Sequence, residues 1–245
     1  STVEVDLSKL KNNLNILRSN LNDNTGIMPV VKADAYGHGA VEVASTLEPE
    51  VDGFAVNNLH EGIQLRKQGI VKPILVFEVP EKSRASQYRV HNLTATVSAQ
   101  EHFEWLPNGT SYHLNFDTGM GRLGFGPEEA QRISHLVDDY DNLFCTGLYS
   151  HFATADDPES SFVSEQRELF ERVTSYFSSE LTTHIANTGA VTFYSDNSFD
   201  MVRLGIGLYG YSPGEVDIQG IEPIMQWKSK LVQVKPIVAK TPVSY

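Results

Sequence analysis

Eight short apolar runs alternate with polar or amphipathic stretches along this chain, and that alternation limits the fold more than any other feature. The runs lie at 27–32, 53–56, 74–77, 94–97, 112–117, 144–151, 183–187 and 201–204 and read as strands. The stretches at 39–47, 58–68, 81–89, 100–106, 128–137, 162–178 and 189–194 read as helices. Several runs are too apolar to alternate, as strands buried on both faces of a parallel sheet should be. Eight parallel strands with right-handed crossovers predict an α/β protein of the (β/α)8 or TIM-barrel kind. A further helix precedes the first strand. Leu7, Leu10, Leu14, Leu17 and Leu21 step by three and four along one face, with Asp6 placed to cap it. This leading helix fills the place of the eighth.

Two segments stand outside the alternation. Residues 2–6 form one; residues 226–245 form the other and read as two β runs, 227–235 and 237–245, punctuated by Pro236 and Pro242. The expected organisation is a barrel over residues 7–225, with 1–6 and 226–245 as strands of an incomplete second, β-rich domain. The run reaching Tyr245 predicts that this domain continues beyond the sequence.

Composition narrows the partners. The 245 residues include 19 Lys+Arg against 31 Asp+Glu, a net charge of −12 with no basic run, which argues against nucleic acid and anionic membrane. No apolar stretch approaches the roughly 18 residues of a membrane span, and the N-terminus has no signal pattern. A single cysteine, Cys145, leaves no disulfide and no CxxC site. These features predict a cytoplasmic protein without a structural metal.

Chemistry-bearing residues gather where the strands end. Lys32, Asp117 with Arg122 beyond it, His151, Asn187 and Arg203 fall at strand ends or, for Arg203, within the last strand. The carboxyl ends of barrel strands form the active face, so this set predicts an active site. Lys32 alone reads either as a lysine snorkelling from a strand end or as an amine kept neutral by desolvation for covalent chemistry. Gly37 and Gly39 allow a tight turn that lets Tyr36 offer its hydroxyl to an anion. The triplet Gly119, Gly121 and Gly124 fits a dinucleotide fingerprint, but the next strand ends in His151 rather than an acidic residue.

Five segments, in order, carry a resemblance. They are Val-Val-Lys-Ala-Asp-Ala-Tyr-Gly-His-Gly at 30–39, Phe-Asp-Thr-Gly-Met-Gly-Arg-Leu-Gly at 116–124, Ser-His-Phe-Ala at 150–153, His-Ile-Ala-Asn-Thr at 184–188 and Val-Arg-Leu-Gly-Ile-Gly-Leu-Tyr-Gly at 202–210. Together they resemble bacterial alanine racemases, fold-type III enzymes that use pyridoxal 5′-phosphate (PLP). The resemblance implies interconversion of L- and D-alanine for peptidoglycan, in a homodimer. It implies that Lys32 binds PLP covalently and then moves the α-proton, and that Arg203 faces the pyridine nitrogen. Tyr36, Thr188 and the N–H groups of Gly205 and Ile206 would hold the phosphate, while His151 and Asn187 flank the ring.

Arg122 would bind near the substrate carboxylate. Many family members carry a carbamylated lysine at the position of Asn115. With asparagine there, the resemblance predicts chloride or another small anion beside Arg122. The tyrosine that serves the second face in the family, in a Gly-Tyr-Ala-Asp-Gly segment of the partner subunit, has no match in these residues, so weak racemisation is expected of them alone. Two other readings remain: a non-catalytic PLP-homeostasis barrel, and a racemase of another small amino acid such as serine.

Overall fold

The computed structural model describes residues 1–194 and 199–244. The apolar runs become short strands because their side chains have core on both sides. These are β1 (Thr2–Val5), β2 (Gly26–Pro29), β3 (Phe54–Val56), β4 (Ile74–Val76), β5 (Ala95–Val97), β6 (Ser111–Asn115), β7 (Phe144–Tyr149), β8 (Thr182–His184), β9 (Met201–Leu204) and β10 (Met225–Lys228). Every residue of β3, β4 and β5 is buried, which accounts for their lack of alternation.

Pairing is parallel within β2–β9, β3–β4 and β5–β6–β7–β8. Further backbone bonds connect these groups. Val31 N–H donates to the Ala55 carbonyl at 2.9 Å, Thr94 N–H to Ile74 at 2.8 Å, and Arg203 N–H to Ala186 at 2.9 Å. Helices lie between the strands, at Ala40–Leu47, Leu59–Lys67, Ser86–Val90, Gln100–Trp105, Ala130–Asp139, Phe162–Thr174 and Thr188–Phe193. The chain is therefore an α/β protein built on parallel strands.

The leading helix, Leu7–Arg18, forms for the reasons its sequence suggests. Asp6 accepts the N–H groups of Ser8 and Lys9, a cap worth about 1 kcal/mol. Leu10, Leu14 and Leu17 are fully buried; Leu7 and Leu21 pack at the core's edge. The helix lies against helices Ala40–Leu47 and Thr188–Phe193 and the short turn Ile206–Tyr209.

The terminal segments are only partly as expected. β1 pairs antiparallel with β10, so residues 2–5 do form a strand against 225–228. Beyond Lys228 the expected runs 227–235 and 237–245 are not strands among the described residues. Leu231, Val232, Val234 and Val238 are exposed there, with no ladder beside them. β-propensity reports fit to a partner surface, and without one the backbone has no reason to extend. Tyr245 lies outside the described residues. Strand limits at the rim are also shorter than the sequence suggests: β2 stops at Pro29, β7 at Tyr149 and β8 at His184. The site residues stand in the turns just beyond. Among the described residues no helix is long and apolar enough to cross a membrane, and no cluster of His, Cys, Asp or Glu suits a metal ion.

Candidate active site

The turn after β2 places the lysine. Lys32–Gly37 makes one helical turn in which Ala33, Asp34, Ala35 and Tyr36 have φ of 51° to 55°. Left-handed helix costs roughly 1–2 kcal/mol per residue for L-amino acids, so neighbouring groups must hold it. Glu61 accepts the Ala33 N–H at 2.8 Å, and Asp34 accepts the Ala40 N–H at 2.8 Å. His38 Nδ1 lies 2.9 Å and 3.1 Å from the carbonyls of Ala35 and Tyr36 and donates to them. Lys32 and Tyr36 thereby reach the same space.

That space is a cavity of about 720 Å³ at the carboxyl ends of the parallel strands. Every site residue expected from the sequence lines it: Lys32, Tyr36, Asn115, Arg122, His151, Asn187, Thr188, Arg203, Gly205 and Ile206. Glu78 lines it too but pairs with Arg84 at 3.1 Å. Asp117 is occupied by its own loop. Its two oxygens accept the N–H groups of Gly119, Gly121 and Arg122 at 2.9–3.0 Å. The Gly-rich segment is thus folded around a carboxylate, an arrangement opposed to cradling a pyrophosphate.

Arg203 is buried on the cavity wall, without a carboxylate partner among the described residues. Its Nη2 donates to the Ser150 carbonyl at 2.7 Å and lies 3.1 Å from His151 Nδ1; its Nη1 donates to the His184 carbonyl at 3.1 Å and to His184 Nδ1. The guanidinium lies 5.2 Å from the Tyr149 ring centre. Among the described residues Nε makes no hydrogen bond. Burial pushes Arg203 down to about 10, so it remains a cation near neutral pH.

The same cavity holds a small polar cradle. Thr188 Oγ1 accepts the Gly205 N–H at 3.1 Å. A Cβ at Gly205 would stand 3.0 Å from the Tyr36 hydroxyl, a closer approach than side chains usually make, so glycine leaves that gap wider. Asn187 Oδ1 caps helix Thr188–Phe193 through the Ala190 N–H at 3.0 Å, leaving its amide nitrogen for the cavity.

The electrostatics favour anions in an otherwise acidic protein. Burial, then the Arg122 guanidinium, hold the Lys32 amine below the usual lysine range, against a weaker pull from Glu61. Burial, then Arg203, Arg122 and Lys32, push His151 down to about 3, so it is neutral. The site can therefore bind an anionic group, offer an amine enriched in its neutral form, and keep a cationic donor, Arg203, on its wall.

Several contributors are not legible as site residues. Glu61 ties the left-handed turn from a helix. Buried Gln166, on helix Phe162–Thr174, accepts the Ala153 N–H at 2.8 Å and donates to the His151 carbonyl at 2.9 Å. Neither has a sequence signal. His184 begins one of the quoted motifs, and that was its only mark.

Residues 5–213 match the family described as alanine racemase, N-terminal domain. The chain is 37% identical over 267 residues to alanine racemase of Lactobacillus acidophilus, covering 100% of this chain and 70% of that protein. Among solved structures it resembles alanine racemase of Clostridium difficile in complex with cycloserine, with TM-score 0.83, 33% identity, and coverage of 91% of this chain and 66% of that one. It is also similar to histidine racemase of Leuconostoc mesenteroides, with TM-score 0.82, 29% identity, and coverage of 91% and 63%. The chain spans about two thirds of the length of such relatives.

Proposed function

Because the chain belongs to the alanine racemase family, we propose that it forms the cofactor-bearing part of an isomerase interconverting L- and D-alanine. Alanine racemases are isomerases, and members of the family use PLP. One observation carries the reading: Lys32, Arg203 and the cradle of Tyr36, Thr188 and Gly205 meet on a single cavity.

The residues fit that cofactor. The cradle matches a phosphate, being made of hydroxyls and backbone N–H groups around a gap that a Cβ would narrow. The N–H of Ile206, at the start of a short helical turn, adds a donor. When bound, PLP supplies an electron sink for the pair left behind as the α-proton departs. Lys32 would hold the cofactor covalently and would move the α-proton on one face; its depressed basicity raises the neutral fraction that can act. Arg203, which keeps its own proton near neutral pH, would hold the cofactor's ring nitrogen through a donated hydrogen bond and would moderate the electron sink the cofactor supplies. His151 and Asn187, on the same cavity, would hold the cofactor from its sides. Arg122, exposed and without an ion-pair partner among the described residues, takes the substrate carboxylate, with a small anion beside it and Asn115. Anomalous scattering from bromide at that place checks the anion; a bromide-soaked crystal with no peak there rejects it.

The strands β2–β9 close, in this reading, as a (β/α)8 barrel over residues 7–225. The bonds linking β2 to β3, β4 to β5 and β8 to β9 support closure. Residues 1–6 and 226–245 belong to a second, β-rich domain, and the working protein is a cytoplasmic homodimer. Its acidic charge and single cysteine suit a reducing compartment.

The test is reduction with borohydride in the presence of PLP. Mass spectrometry should place the reduced cofactor on the peptide bearing Lys32; labelling elsewhere, or none, rejects the site. Likeness to histidine racemase favours a second reading, racemisation of another amino acid. Comparing α-proton exchange into D2O for alanine, serine and histidine separates the two.

A further inference from the structure

Two buried histidines behind the rim are wired to it. His113 lies in β6 and His184 ends β8, with His113 Nδ1 2.9 Å from His184 Nε2. His184 Nδ1 in turn receives a hydrogen bond from Arg203 Nη1. A guanidinium only donates. His184 must therefore accept at Nδ1 and carry its proton on Nε2. That N–H donates to His113 Nδ1, which leaves the His113 proton on Nε2. One obligatory donor settles both rings; the other tautomer of His184 would set N–H against N–H.

The surroundings are shaped for this arrangement. The β6–β7 register shifts between Tyr112 and His113, the kind of irregularity that re-aims a side chain. A Cβ at Gly147 would stand 2.9 Å from Cε1 and Nε2 of His113, so the facing strand is kept bare there. The Tyr149 ring stacks on His184 at 5.1 Å with 3° between planes. The far side of His113 lines a second cavity, of about 260 Å³, that also touches Asp52, Arg66 and Met28. Burial first, then Arg203, keeps His113 and His184 uncharged.

We propose that His113 is a positioning residue: by accepting from His184 it locks that ring's tautomer, and through it fixes how Arg203 presents its free N–H to the active-site cavity. The consequence for turnover rests on the cofactor reading above; the tautomer lock is a property of the chain alone.

The experiment has two arms. In the chain without cofactor, 15N-histidine NMR should show His113 and His184 as neutral Nε2–H tautomers near neutral pH and still at about pH 5. An Nδ1–H tautomer or an imidazolium at either ring overturns the proposal. In the PLP-loaded, full-length protein, His113→Leu should lower kcat about tenfold while KM for alanine moves less than about twofold. His113→Asn, whose Oδ1 replaces the lost acceptor, should restore kcat and the His184 signal. A leucine variant with unchanged kcat, or an asparagine variant no better than leucine, also overturns it. Should the leucine variant not fold, the wild-type spectra and the asparagine variant decide. Correct tautomers in a chain whose Lys32 takes no PLP would support the lock and reject the active-site reading.

Discussion

The two ends of the same parallel strands treat charge in opposite ways. Near the smaller cavity, Arg66 spends all its nitrogens on the chain: Nε donates to the His91 carbonyl at 3.1 Å, Nη1 to Ile70 and Lys72 at 2.8 and 2.7 Å, and Nη2 to Asn92 at 2.8 Å. Asp52 there accepts the Ile27 N–H at 2.8 Å. At the larger cavity, Lys32 and Arg122 have no hydrogen bond or ion pair through their side-chain nitrogens among the described residues, and Arg203 keeps Nε free. A charge saturated by its own backbone holds loops together. A charge left incomplete, at a cost in desolvation, is kept for something that arrives.

Substitutions at each end should separate these roles. Lys32→Ala should reduce racemisation by the full-length protein at least about a thousandfold with an unchanged unfolding midpoint; retention of more than a tenth of the rate would erase the contrast. Arg203→Glu should slow racemisation about a hundredfold and raise the share of turnovers ending in transamination, read as pyruvate formed per D-alanine. Arg66→Ala should do the reverse, costing about 2–3 kcal/mol in denaturant unfolding while kcat per folded molecule stays the same. Acid sharpens the comparison least. His113 titrates at about 3 when folded against 6.5 when unfolded, so the unfolded chain binds more protons between these values. Its contribution to stability should then be full above the unfolded value and fall by up to about 1.4 kcal/mol per pH unit below it, with His151 and His184 adding in the same direction. A His113→Asn variant whose stability falls as steeply across that range as the unsubstituted protein's would mean the ring is charged in the fold.

Much of the rim was legible because single residue types carry it. Lysine after three apolar residues, arginine inside a strand and histidine at a strand end are each unusual enough to be noticed in sequence. The Leu7-to-Leu21 face and the Asp6 cap are equally local, and the helix obeys both. What was not legible depends on distance. Ala33, Asp34 and Ala35 have no preference for left-handed backbone; the turn exists because Glu61, His38 and Asp34 hold it. His113 looked like any buried strand residue until β8 and β9 brought His184 and Arg203 to it. In residues 229–244 the β pattern was visible, but a strand also needs a neighbour.

The pairing of β1 with β10 sets a schedule for synthesis. Val5 meets Met225, Asp6 N–H bonds the Ile224 carbonyl, and Asn13 bonds the carbonyls of Leu208 and Glu222. A ribosome making about 5–20 residues per second needs on the order of ten to forty seconds between the two strands. Throughout that interval the leading helix has its leucines ready and nothing to bury them against on the β9 side. The nascent chain waits for its own later half, and a chaperone that binds leucine-rich helices has that long to find it.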